Sequence, residues 1–175
     1  MLNRLFRTRP AQAMGRVLYA SAVEQSRSPA LYDGFAAPDT VEGRFEIYTL
    51  HVVLLLDRLH GQGPQAQETS QALYETYVKA LDHALREMGV GDLSVGKKMR
   101  RLGEAFFGRV KSYTAAFAAL PATAELEALL ARTVYADAPE SRAATLSAYV
   151  TGQRTHLAAQ PLEQLLDGQV DWNAP

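Results

Sequence analysis

The chain of 175 residues has no cysteine. That excludes a disulfide scaffold, a thiolate metal site and a cysteine nucleophile. It has almost no net charge, with 18 Lys+Arg against 19 Asp+Glu. Such a balance argues against a general nucleic-acid binder, and DNA is not an expected partner. A membrane-length apolar run is missing as well. The uncharged stretch of the apolar middle, residues 47–56, contains His51 and is about half of what spans a bilayer. The expectation is a soluble or peripheral protein. No phosphate-cradling loop is present, because Gly89-Val-Gly91-Asp92 lacks a third glycine and a preceding strand. No serine sits in a nucleophile-elbow context.

What the chain does have is helical periodicity. Its length fits one domain large enough to bury a core. Residues 10–26 read as a first helix, with Pro10 in the first turn and Met14, Val17, Leu18 and Ala22 at helical spacing. Residues 27–40 read as a long packed loop, since Leu31, Tyr32 and Phe35 are unlike a linker. A second helix over 41–59, capped by Asp39 with Glu42 completing a box, is apolar nearly all round. That pattern belongs in the middle of a bundle. A third helix is expected from a Thr69 cap to Met88, with Leu73, Tyr77, Leu81, Ala84 and Leu85 inward and Gly89 as its left-handed terminator. A fourth follows to about residue 119, with Ser94 as cap. Pro121 and Pro139 mark a fifth helix (121–135) and a sixth (139–158), and Pro161 opens a last short turn. The predicted architecture is all-α: a single-domain bundle of about six helices. Its expected limits are a flexible basic arm over 1–9, a helical domain over 10–170 and a tail over 171–175. The tail holds the lone Trp172, read as capping an apolar groove.

Charge is unevenly spread. Residues 1–16 carry Arg4, Arg7, Arg9 and Arg16 with no acid. As a helix the first residues would gather Leu2, Leu5 and Phe6 near one face, which suits a weak contact with an anionic membrane surface. Residues 85–111 carry seven basic residues against three acids, and Lys97, Lys98, Arg100 and Arg101 crowd the start of the fourth helix. A basic start opposes the helix dipole, so it sits in solvent or meets an anionic partner: lipid, ribosomal RNA or an acidic protein.

Candidate chemistry is sparse. Asp57 and His60 lie at i,i+3, but di-metal bundles use that pair twice with further glutamates, so no metal site is expected. His51, inside the apolar second helix, could act as a base with Glu46 or Tyr48, or be a hydrogen-bonded core histidine. Residues 97–101 could serve an RNA- or ribosome-contacting protein.

Two stretches carry a resemblance. The first is Pro38-Asp-Thr-Val-Glu-Gly-Arg-Phe-Glu46 followed by Leu50-His51. The second is Leu85-Arg-Glu-Met-Gly-Val-Gly-Asp-Leu-Ser-Val-Gly-Lys-Lys-Met99, extended by Ala105-Phe-Phe-Gly-Arg109 and Tyr113. Together they resemble the ubiquinol–cytochrome c chaperone family of cytochrome bc complex assembly factors, from Leu31-Tyr32 to about Leu120. Gly96 departs from the pattern, which has Pro before the lysine pair. The C-terminal third carries no matching motif.

The resemblance implies a helical, non-catalytic assembly chaperone of bacterial type, with no cofactor. Its partner would be newly made cytochrome b or another cytochrome bc subunit, and the ribosome a further one. It would act in the cytoplasm or peripherally at the inner membrane, or in the matrix of a mitochondrion. The client-contact residues expected from the two stretches are Asp39, Arg44, Glu46, His51, Arg86, Met88, Asp92, Lys97, Lys98 and Arg109. They require the two stretches to meet in space.

Overall fold

The computed structural model describes residues 10–138 and 141–175. It is all-α, with no strand among the described residues. The helices are α1 (Pro10–Ser26), α2 (Pro29–Asp33), α3 (Val41–Leu59), α4 (Pro64–Glu87), α5 (Asp92–Ala118), α6 (Ala124–Arg132), α7 (Ala143–Ala159) and α8 (Leu162–Leu166). Six of them are longer than two turns, as the periodicity predicts. No helix is long and apolar enough to cross a membrane.

The second predicted helix, α3, is the axis of the bundle. Residues from Ile47 to Leu55 are buried except Tyr48, which is partly so. A helix without a solvent face needs neighbours on every side, and α1, α4, α5 and α7 supply them. Thr40, not Asp39, caps it: the Gly43 amide donates to Thr40 Oγ1 at 3.0 Å. Asp39 instead pairs with Arg44. The loop before α3 lies so close to its first turn that a side chain at Gly43 would meet the Pro38 carbonyl. The segment 27–40 is a packed loop that also holds the short α2, anchored by buried Leu31.

Several helix starts differ from expectation, for one reason: capping sequences compete, and packing selects among them. α4 begins at Pro64, a turn before Thr69, because Pro suits a first helical position; Thr69 Oγ1 donates to the Gln65 carbonyl inside the helix. α5 begins at Asp92 rather than after Ser94, so an acid precedes the cations at the dipole's positive end. α6 begins at Ala124, leaving Pro121 in the turn. α7 begins at Ala143, and the expected start at Pro139 lies outside the described residues. Gly89 takes φ +80°, the left-handed terminator role expected of it.

α1 and α4 cross at Gly15. A Cβ there would fall 2.6 Å from the backbone carbon of Ala72. The glycine sets the interhelical distance, and that spacing lets Leu18 and Ala22 bury completely.

The C-terminal residues are strapped down rather than loose. Gln153 donates to the Asn173 carbonyl at 2.7 Å and accepts from its amide at 3.1 Å. Gln160 brackets Asp171 in the same way, at 2.7 and 3.0 Å. Trp172 is thereby laid against the core, its Nε1 donating to Ser21 Oγ at 2.9 Å and its ring 5.5 Å from that of His51.

Two glycines in helices separate packing from propensity. Gly15→Ala forces α1 and α4 apart and is expected to cost about 1–3 kcal/mol. Gly108→Ala, with nothing within 4 Å of the added carbon, should stabilise by about 0.5–1 kcal/mol. Urea unfolding at pH 7 measures both.

Candidate functional site

α1, α3 and α4 enclose an open groove of about 520 Å³, closed at one end by Leu102 of α5. Its walls are apolar: Tyr19 and Val23 from α1, Phe45 and Tyr48 from α3, Leu81, Ala84 and Leu85 from α4. Val41 and Met88 stand at its lip, 64% and 57% exposed. The buried Glu46 carboxylate that also lines the groove is paired with Arg109, and exposed charge lies at the rim. Arg44 there is held by Asp39 and lies over the Tyr32 ring, 5.0 Å from its centroid. That is a cation–π geometry, and it keeps the guanidinium beside the groove rather than across it.

The floor carries an unanswered polar group. The Tyr48 hydroxyl is buried and finds no hydrogen-bond partner among the described residues. Burial pushes its pKa far above the tyrosine range, so it remains a neutral phenol. Its ring packs edge-on against Tyr19, centroids 5.6 Å apart, and against Tyr77 at 5.2 Å.

Of the ten residues expected from the sequence, Arg44, Glu46 and Met88 line this groove, so the two resembling stretches do meet in space. The others divide by physical role. Glu46 and Arg109 form a two-pronged ion pair across α3 and α5, at 2.8 and 2.6 Å. Glu46's hydrogen bonds raise the Arg109 pKa. Arg86 bridges Asp82 at 2.8 Å and Asp92, stitching the α4–α5 turn. Lys97 and Lys98 are exposed on α5, outside the groove.

His51 is completely buried and reaches no surface. Nδ1 lies 2.8 Å from the Ile47 carbonyl, which can only accept, so Nδ1 carries the proton. Nε2 then accepts from the Tyr149 hydroxyl at 2.9 Å, and that hydroxyl accepts from Gln25 at 3.0 Å. Burial pushes the imidazole down to about 4. This is the hydrogen-bonded core histidine, not a base facing a substrate. It does not line the groove between α1, α3 and α4. Asp57 is likewise engaged, accepting from Arg154 Nε at 2.7 Å, while His60 is exposed beyond the helix end.

The sequence reading missed the α1 wall, Tyr19 and Val23, and took Leu81 and Ala84 as inward-facing. Leu81 is only half-buried and Ala84 exposed, because both face the groove. The signal was the surplus of apolar residues on α4: the positions 77, 81, 84, 85 and 88 form a stripe wider than one neighbouring helix covers.

Two outcomes test these assignments. Glu46→Leu leaves the Arg109 guanidinium partly buried without its acid and should cost about 2 kcal/mol; adding Arg109→Met should recover about half or more of that in urea unfolding. The folded His51 resists protonation while the unfolded chain takes a proton near 6.5. Its contribution is full above about pH 6.5 and is lost as pH falls toward 4, by at most about 3 kcal/mol. His51→Gln should flatten the stability slope over that window.

Comparison with known proteins bears on the whole chain. The family model described as "Ubiquinol-cytochrome C chaperone" matches residues 33–172. That range runs far beyond the motif-bearing stretches and takes in α6, α7 and the Trp172 strap. A solved structure, "Crystal structure of the Cbp3 homolog from Brucella abortus", is 35% identical over 99% of this chain and 97% of that one, with a TM-score of 0.85. Among curated proteins none matches. With most of its length matched by the family model and its fold shared with that homolog, the chain belongs to the ubiquinol–cytochrome c chaperone family.

Proposed function

We propose that the protein is a non-catalytic assembly chaperone of the ubiquinol–cytochrome c reductase complex, and that it holds newly made cytochrome b in the groove between α1, α3 and α4. The observation that carries this reading is the groove itself. It is mostly apolar along its walls and open at the surface, with exposed charge at its rim and Val41 and Met88 at the lip. Membrane helices offer an apolar face of that kind before they have partners. The unpartnered Tyr48 hydroxyl adds a donor at the floor for a client carbonyl. Rim charges on Arg44, Asp39 and Glu42 would set orientation more than affinity.

The family supports a chaperone role, and the buried, neutral His51 leaves its imidazole without access to a substrate. The pairing of Glu46 with Arg109 has the same consequence for that carboxylate.

The test is capture of cytochrome b from gently solubilised membranes by the tagged full-length chain. Val41→Glu with Ala84→Glu changes two exposed groove positions on different walls and should leave the melting temperature within a few degrees. Capture should fall about tenfold or more, since two charges would have to be desolvated against an apolar client. Phe107→Glu, on the far side of α5 and also exposed, should leave capture unchanged. Equal capture by the groove variant would move the client site elsewhere. Absence of cytochrome b with the native chain would overturn the reading.

A further inference from the structure

The turn between α4 and α5 combines two features that ordinary surface turns keep apart. Leu93 is 102% exposed and Met88 57% exposed, five residues from each other. Behind them Lys97, Lys98, Arg100 and Arg101 are all exposed, and none is in an ion pair among the described residues. Asp92 is engaged with Arg86, and Glu87 lies 3.6 Å from His83. Glu104, the acid nearest the four cations in sequence, is exposed and in no ion pair among the described residues, so the patch keeps a net positive charge but a reduced one.

Helical geometry aligns the two features. Leu93, Lys97 and Arg100 stand at i, i+4 and i+7 on one stripe of α5, with Lys98 and Arg101 on the adjoining one. Val95, Met99, Leu102 and Phe106 take the inward face, with Val95 and Phe106 buried. Leu93, Lys97 and Arg100 thus project to one side of α5, with Arg101 beside them and Lys98 on the flank. Gly96 lies within the helix with open space around it.

We propose that this turn is a membrane-surface contact: Leu93 and Met88 enter the boundary between headgroups and acyl chains of an anionic bilayer, and the four cations lie on its lipid phosphates. An aliphatic tip ringed by Lys and Arg is what an interfacial contact requires. A single-stranded nucleic acid would instead call for aromatic side chains on which bases stack, and the turn offers none. The basic cytoplasmic loops of membrane proteins would be repelled by the patch. Because Leu85 and Met88 also line the groove, a turn seated on the bilayer brings that groove to the membrane surface. The inference rests on the turn's own residues and stands whatever occupies the groove.

The experiment is co-sedimentation of the full-length chain with vesicles of phosphatidylcholine alone and with roughly 30% phosphatidylserine. Binding is expected to the anionic vesicles and not to the neutral ones, and to weaken with salt. Lys97→Glu with Lys98→Glu should lower it about tenfold or more. Leu93→Asn, at a fully exposed position that cannot disturb the fold, should lower it several-fold. Lys111→Glu, on the same helix away from the turn, is the control and should have little effect. Absence of binding by the native chain overturns the proposal. So does binding that survives the turn variants, which would place the contact elsewhere on the chain. A structured RNA that binds more tightly than the anionic vesicles, with no loss from Leu93→Asn, would also overturn it and reassign the patch to RNA.

Discussion

α3 buries polar groups that cannot reach water, and the arrangement of the whole bundle answers that constraint. An unpaired polar group in a low-dielectric interior costs far more than a made hydrogen bond returns. Most polar side chains along α3 therefore find partners on the helices around it, the Tyr48 hydroxyl excepted. Glu46 takes Arg109 of α5, Thr49 takes the Tyr77 hydroxyl of α4 at 3.0 Å, and His51 takes Tyr149 of α7. Asp57 takes Arg154, also of α7, and Arg58 donates to the Leu157 carbonyl at 2.8 Å. Hydrophobic burial would tolerate many rotations of the surrounding helices. These directional contacts admit far fewer.

The same accounting separates structure from function. Residues that look chemically active in the sequence are spent inside. His51, Glu46, Arg109 and Asp57 hold helices together through hydrogen bonds and ion pairs. At the surface, the groove walls, Val41 and Met88 at its lip and Leu93 at the turn are apolar, and the start of α5 is cationic. At the groove, the Tyr48 hydroxyl is buried without a hydrogen-bond partner among the described residues.

The C-terminal strap closes the other side of the core. Gln153 and Gln160 each use both amide atoms on a single backbone residue, which fixes the register of Asp171 and Asn173 and sets Trp172 against His51 and α1. Residues far apart in sequence thus complete one network, Gln25–Tyr149–His51, under one indole. The family match runs to residue 172 and so spans this part of the fold.

The sequence alone determined the helical class, the central place of α3, the Gly89 terminator and the family resemblance, because these depend on periodicity, local backbone freedom and contiguous residues. It also marked Arg44, Glu46 and Met88, which do meet. Helix starts slipped where two caps competed, at Thr40 against Asp39 and at Pro64 against Thr69, since capping preferences differ by less than packing does. Only the tertiary structure decided that His51 and Glu46 face inward, that Leu81 and Ala84 face a groove, and that Lys97 and Lys98 sit apart from it with Leu93. Those outcomes depend on which side of a helix another helix covers, and hydrophobic periodicity reports that a face is apolar, not what lies against it.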